Sequence, residues 1–393
     1  MGKPLVARSF RPSANPRRTS AVAMVSARRA QFGITQRFPR MLGYNVLATY
    51  VTPQEESMRI SITVPMRIDL AGGTLDVYPL YLFEDGGLTV NAAISVYGHV
   101  TVEERDDTKI VIRSEDLQVA EEAANLDDLP PGGELDLVKR ALRYYGPRTG
   151  LNITLRSDAP RGSGLGASSA LLMALSSALN QLNGLGLSKE QIIDLGANIE
   201  AQVIGIPTGK QDYFPPLFGN VSAIWFDVDG FRYELLSPDG RLIQALNQRL
   251  VLTYTNISHF SGATNWAMLK RYIDNEGDTV ARIHEIKEVA LAMRESLTRV
   301  DLDEFARLLA VEWENRKGLA EGVTTPEIDA MVNAAALAGA RASKLCGAGG
   351  GGCMITYAEP EHVPAVRQAL TDAGATIMPF QIVPDGIQMQ IAG

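Results

Sequence analysis

Two α+β lobes sharing a cleft are the fold class the sequence predicts, on three observations. Between Met58 and about Asn220, strand-like and helix-like stretches are grouped, without the strict βαβ alternation of a parallel sheet. After "VSAIWFDVDGFRYELL" the character changes to one strand, "RLVLTYTN", and three long helical stretches between Ala263 and Ala340. Strand signals then return at "CMITYA" and "IQMQIAG". The boundaries that follow are residues 1–57 as a basic, disordered extension, 58–240 as the first lobe and 241–393 as the second.

Taken in order, "RISITV", "LTVNAAISVYGHVTVEE" and "KIVIRS" alternate or run apolar with β-branched residues, as strands do. "ELDLVKRALRYYG" reads as a helix and "GLNITLRS" as a strand. A glycine loop then opens a helix from about Ser168 to Asn183, and no charged side chain appears between Arg161 and Lys189. The next helix, "SKEQIIDLGANIEAQVIG", has Ser188 as its N-cap. There is no internal repeat and no low-complexity linker.

At 393 residues and 46% hydrophobic content, the chain supplies ample material for packed cores and reads as a soluble globular protein. The net charge of -8 conceals two unlike parts, because residues 1–57 hold nine Lys/Arg against Glu55 and Glu56. The acidic remainder argues against a nucleic-acid partner. The basic front has the composition of an organelle transit segment and equally of a dispensable extension, so the expected location is cytoplasmic, or organellar if that segment targets the chain. No apolar run approaches the length of a membrane span. Cys346 and Cys353 flank a glycine run, which fits a reduced compartment, and four histidines without H-x-x-x-H or C-x-x-C spacing make a soft-ligand zinc site improbable. Oxygen should hold any metal.

The chemistry lies in the glycine motifs. Gly162, Gly164 and Ala167 fit the G-x-G-x-x-G/A spacing between a strand and a helix, yet the acidic residue about twenty positions on, which a dinucleotide site requires, is Glu190 inside another helix cap. The loop therefore reads as a phosphate cradle: backbone N–H groups freed by glycine and aimed along a helix N-terminus stabilise phosphates without side-chain charge. Ser168 and Ser169 fall in the first turn, within reach of phosphate or magnesium. A second run, "KLCGAGGGGCMITYA", leads into a strand, so it is a tight loop admitting a ligand or another backbone, or an ordinary hairpin connection. In "VPMRIDLAGGTLDVYPLY", Arg67, Asp69 and Asp76 surround a Gly72-Gly73 turn. In "EAQVIGIPTGKQDYFPPLFG", Glu200 lies on a helix and Asp212 in a loop, while "GIPTGK" lacks a residue for a Walker A loop.

Three signatures in this order, "MRIDLAGGTLDV", "PRGSGLGASSAL" and "KLCGAGGGGCMI", resemble the motifs of the GHMP kinases over nearly everything from Met58 onward. Within that family the wording is most similar to the heptose 7-phosphate kinases and fucokinases, which phosphorylate the anomeric hydroxyl of a sugar. The "GEH" of galactokinases and mevalonate kinases is missing, with Gly73-Thr74 in its place. The resemblance implies a lobe like domain 2 of ribosomal protein S5, a ferredoxin-like second lobe, and an active site in the cleft between them. It implies that ATP is held by Pro160, Gly162, Ser163, Gly164, Leu165, Gly166, Ala167, Ser168 and Ser169, with Gly349 and Gly350. Ser168 and Glu200 would hold Mg2+. Asp212 would face the acceptor hydroxyl with Arg67 beside it, and Asp76, Gly73, Gly350 and Gly351 would meet the substrate. Ala167 departs from the commoner serine of the second motif, and Met66 from a frequent glycine.

These residue types suit phosphoryl transfer, which requires alignment of acceptor and leaving oxygens and positive charge on the equatorial oxygens. Tyr213, Phe214, Pro215 and Pro216 are candidates to wall the acceptor pocket, as are Ser258, His259 and Thr264 in "TNISHFSGATNW". Lys210 and Lys317 are candidates to meet an acceptor phosphate. The alternatives are a fucokinase or other sugar 1-kinase, a kinase for a non-sugar alcohol such as mevalonate, a non-catalytic sugar and nucleotide sensor, and a dinucleotide oxidoreductase. Oligomeric state is not legible.

Overall fold

The computed structural model describes residues 57–258 and 261–393, so the basic segment up to residue 56 and His259 lie outside the described residues. Its first part runs β1 (Arg59–Ala71), α1 (Leu80–Phe83), β2 (Gly87–Arg105), β3 (Ile110–Ser114), β4 (Val119–Ala123), α2 (Asp136–Tyr145), β5 (Gly150–Ser157), α3 (Ala167–Asn183), α4 (Lys189–Ile204), α5 (Phe214–Phe218), β6 (Val221–Asp227) and β7 (Gly230–Leu235). The second runs α6 (Arg241–Asn247), β8 (Leu250–Tyr254), α7 (Ser261–Ile273), α8 (Thr279–Thr298), α9 (Leu302–Lys317), α10 (Pro326–Leu337), β9 (Ala340–Leu345), β10 (Cys353–Ala358), α11 (Val363–Asp372), β11 (Thr376–Met378) and β12 (Gln388–Ala392).

Two mixed assemblies result, each a sheet with helices packed on it. The first sheet is ordered β12-β1-β2-β5-β3-β4, with β6 paired to the first half of β2 and β7 to β6; only β3 and β5 run parallel. The second is β11-β8-β10-β9, antiparallel throughout. Both belong to one compact unit, Gln54–Gly393. Chain order and sheet membership part company at the C-terminus: β12 pairs with β1, from Arg59 opposite Ala392 to Thr63 opposite Gln388, so the last strand closes the first sheet.

The sequence explains much of this locally. From Met66 to Ala71 every residue of β1 is buried, because helices cover one face and the second assembly approaches from the other. The uncharged α3 packs against β1, β2, α2 and α4, and a helix buried on most sides has no place for an unpaired charge. Ser188 caps α4 as expected, in a reciprocal capping box with Gln191. Between Ala263 and Ala340 there are four helices where three were expected. Two of the breaks are short and charged: Gly277 with φ 62° before α8, and Val300 with φ 57° ahead of Asp301, whose side chain caps α9. Neither carries proline, so the hydrophobic period runs on across them.

Candidate active site

Between β5 and α3, Gly162, Gly164 and Gly166 take φ of 69°, 71° and 74°, the left-handed region glycine enters without a Cβ penalty. Gly166 is the N-cap of α3 and offers no capping side chain. The first-turn residues Ala167, Ser168 and Ser169 therefore face a cavity with their orphan N–H end uncapped, an anion-seeking terminus.

The second glycine run props this loop from behind. Cys346 and Cys353, both free and buried, close the β9–β10 connection through Cys346 N–H to Cys353 O at 2.8 Å, and Cys353 N–H continues to Ser163 O at 2.7 Å. A Cβ on Gly164 would lie 2.7 Å from Cys346 O, and one on Gly352 would lie 2.6 Å from Ser163 O, so the two loops meet backbone to backbone. Burial pushes the Cys346 thiol up to about 11, leaving it protonated and unreactive.

Opposite the loop stands an ion pair assembled from distant segments. Arg67, on β1, donates from Nε to Asp212 Oδ1 at 2.8 Å and from Nη2 at 2.7 Å, and its Nη1 donates to Gly164 O. Its side chain is 4% exposed, whereas Asp212, on a single turn at Gln211–Tyr213, keeps 25% and faces the cavity. The Asp212 carboxylate lies 3.3 Å from where a Gly166 Cβ would stand, which places it at the head of α3. Burial alone would lower the Arg67 guanidinium; the neighbouring Asp212 and Asp69 carboxylates outweigh it and raise it further.

Two more carboxylates complete the wall. Glu200, from α4, accepts from Ser168 Oγ at 3.1 Å, Ser169 Oγ at 3.0 Å and the Tyr213 hydroxyl. Burial, then the like charge of Asp212, push it above the usual carboxylate range, against the pull of those donors. Asp76 accepts from the Gln211 backbone N–H at 2.9 Å, and burial pushes it up to about 6. Beneath them Asp69 pairs with Lys344 at 2.8 Å and Glu312 with Arg316 at 2.5 Å, all four fully buried. Burial alone would raise Asp69, but Lys344, Arg316 and Arg67 hold it below its ordinary value.

The cavity enclosed by Arg67, Asp76, Glu200, Asp212 and the glycine loop measures about 290 Å³. A larger one of about 630 Å³, walled by Leu117, Leu135, Leu155, Leu171 and Leu175, adjoins it; Gly162, Ala167, Ser168 and Glu200 line both. Of the residues singled out in the sequence, Gly73 and Ser163 also line the first cavity and Pro160 the second. Leu165 is fully buried and contributes its carbonyl to Arg67 N–H. Gly349, Gly350 and Gly351 line neither cavity: Gly350 N–H bonds Val323 O, and Gly349 and Gly351 press on Val323 and Ile257, while Gly347 and Ala348 reach the site. Tyr213 and Phe214 are buried and, with Pro215 and Pro216, line neither cavity; Phe214 packs edge-on to Phe226 and Phe231. Lys210 pairs with Asp194 and Lys317 with Glu314, and neither lysine lines either cavity. Sequence reasoning missed Arg316, Glu312 and Lys344, and the leucine-lined cavity. Glu312 and Arg316 read as a routine i,i+4 surface pair, and the leucines as core.

A glycine loop at an uncapped helix N-terminus, a carboxylate held by arginine and an adjoining apolar cavity are the parts a small-molecule phosphotransferase uses. The first part of the chain matches the model for the GHMP kinases N terminal domain at residues 136–220, and the last part the GHMP kinases C terminal model at 293–376. D-glycero-alpha-D-manno-heptose 7-phosphate kinase of Campylobacter jejuni is 30% identical over 338 residues, 84% of this chain and 98% of that protein. L-fucokinase/L-fucose-1-P guanylyltransferase of Bacteroides fragilis is 29% identical across 78% of this chain, which spans only 35% of that longer protein. Among solved structures, a D-glycero-D-manno-heptose 1-phosphate kinase from Bacteroides thetaiotaomicron superposes with TM-score 0.69 at 29% identity, over 84% of this chain and 98% of that one. The chain belongs to the GHMP kinases. It is an ATP-using phosphotransferase with an alcohol group as acceptor.

Proposed function

We propose that the protein transfers the γ-phosphoryl group of ATP to the anomeric hydroxyl of a sugar or sugar phosphate, in the manner of the heptose 7-phosphate 1-kinases. The observation that carries the reading is the Arg67–Asp212 pair set at the head of α3 in a polar chamber, which adjoins an apolar one across Gly162, Ala167, Ser168 and Glu200. The leucine-lined cavity has the size and character for a nucleoside, and the smaller chamber for a polyhydroxyl acceptor. Phosphates then cross the uncapped N-terminus of α3, where fixed backbone N–H groups stabilise charge without reorganising. Asp212 accepts the proton of the attacking hydroxyl or orients it, and Arg67 fixes the carboxylate and faces the transferring group. Asp76 accepts hydrogen bonds from sugar hydroxyls, a role that suits a polyhydroxyl substrate.

Magnesium fits the donors present. Ser168 Oγ and Glu200 Oε1 lie 3.1 Å apart on the wall shared by both cavities, and hydroxyl and carboxylate are the hard oxygens this ion takes. Among the described residues no group of three or more His, Cys, Asp or Glu is placed to hold a metal, so two protein ligands would be completed by phosphates and water. When bound, the ion would neutralise charge on the phosphate oxygens. Among the described residues no helix is long and apolar enough to cross a membrane. The division into lobes at 58–240 and 241–393 is part of the same proposal, with the final strand returned to the first sheet.

ADP release measured across heptose 7-phosphate, fucose, arabinose, galactose, glucuronate and mevalonate, with and without magnesium, tests the reading. A sugar or sugar phosphate should give magnesium-dependent turnover and an acid-labile 1-phosphate. ADP release with mevalonate alone, or binding of ATP and sugar with no turnover, would overturn it.

A further inference from the structure

The acceptor chamber is bounded on one side by Gly73, Thr74 and Asp76, and this segment is under local strain. Thr74 has φ 80°, a conformation open to glycine but costly for a β-branched residue, so its surroundings must hold it there. Thr74 Oγ1 donates to Met268 Sδ of α7 at 3.6 Å, and the polar contacts to the backbone of this turn come from α9, more than 240 residues away in sequence. Arg316 Nη2 donates to Gly73 O at 2.9 Å, and its Nη1 reaches Thr74 Oγ1 at 3.5 Å. The absence of a side chain at Gly73 makes room for that approach: a Cβ there would stand 2.8 Å from Asp69 Oδ2 and 3.1 Å from Arg316 Nη2, so those side chains would have to shift. Arg316 is itself immobilised: Nε and Nη2 both bond Glu312 Oε1, at 2.9 and 2.5 Å, and its side chain is 1% exposed.

Among residues lining the chamber, Arg67 and Arg316 are the two cations, and Arg67 is committed to Asp212. With its charge balanced by Glu312 and its donors shared among Glu312, the Gly73 carbonyl and the Thr74 hydroxyl, Arg316 is poorly placed to meet an acceptor anion and well placed to shape the turn that carries Asp76. From Gly72 the chain makes two consecutive turns, Leu75 N–H to Gly72 O and Val77 N–H to Thr74 O, so the backbone at 73–74 sets where Asp76 points.

We propose that Arg316 is a positioning residue for the acceptor: it pins the Gly73–Thr74 backbone in its strained form and thereby aims Asp76 into the chamber. The inference rests on the sugar-kinase reading for the identity of the acceptor, and on geometry alone for the role of Arg316.

Kinetics of Arg316→Lys and Thr74→Gly, singly and together in the full chain, test it. Lysine keeps the Glu312 ion pair but loses the planar fork that spans two partners. Arg316→Lys should raise the acceptor KM about 10-fold or more, with the ATP KM within about 2-fold. Glycine adopts φ 80° unaided, so in the Thr74→Gly background the same change should move the acceptor KM less than about 2-fold. An equal penalty in both backgrounds, or loss of melting temperature with an unmoved acceptor KM, would show a merely structural role and overturn the proposal. If Arg316→Lys does not fold, Glu312→Gln with Arg316→Met removes the charges together and is judged in the same way. A wild type that phosphorylates mevalonate and no sugar would sink the sugar reading, while the coupling between positions 74 and 316, read on the mevalonate KM, still decides this one.

Discussion

Asp212 and Arg67 lie 145 residues apart, and each makes sense only beside the other. Both were legible as candidates, and as neighbours, because carboxylate and arginine sit in glycine-rich segments whose order resembles a family; the two bonds of 2.7–2.8 Å onto a single carboxylate oxygen were not. If Asp212 receives or orients the acceptor proton, Asp212→Asn should cut kcat about 10²–10⁴-fold in protein that still folds, with a lowered melting temperature because the buried Arg67 loses its counter-charge. A loss below about 10-fold in a stopped ADP assay would remove it from that role. Asp76 adds a pH signature. Its carboxyl is pushed up to about 6 by burial, and only the ionised form is a pure acceptor for sugar hydroxyls. As pH falls through about 6, kcat/KM for the acceptor should therefore decline, approaching about 10-fold per unit, whereas Asp76→Asn should start low and flatten that limb. A wild-type profile that rises toward acid would contradict the assignment.

At the scale of elements, the phosphate loop and the second glycine run act as one unit. The sequence shows each run, and the spacing shows a strand before one and after the other. That the second run buttresses the first depends on contacts such as Cys353 N–H to Ser163 O, which no spacing rule encodes. Gly352 lines neither cavity, yet it has φ 79° and no room for a Cβ against Ser163 O. Gly352→Ala should cost about 1–3 kcal/mol in urea unfolding and raise the ATP KM more than the acceptor KM, because the displaced atoms belong to the phosphate loop. An unchanged ATP KM in the folded variant would uncouple the two loops. Ser188 marked the start of α4 by its side chain, whereas the break before α9 was missed although Asp301 caps it, because the turn at Val300 is made by a backbone angle that a valine does not announce.

At the scale of the whole molecule, a buried ionic cluster joins the segment bearing Asp69, the helix bearing Glu312 and Arg316, and the strand bearing Lys344. Lys344 Nζ lies 2.8 Å from Asp69 and 3.6 Å from Glu312, with no side-chain exposure at any of the three. Lys344→Met would leave two buried carboxylates undercompensated, and a loss of about 3–5 kcal/mol is the expected outcome in equilibrium unfolding. A change under about 1 kcal/mol would mean that the cluster is dispensable to stability. By itself the sequence determined the α+β class, the run of strands and helices, the glycine loops and the residue types of the site, because these follow from short-range periodicity and from backbone angles that glycine supplies locally. Tertiary structure alone decided that β12 closes the first sheet, that the second glycine run braces the first, and that Arg316 reaches back to Gly73. Those choices depend on pairings across up to several hundred residues, where the free energy resides in shared burial and mutual charge compensation and leaves no periodic trace along the chain.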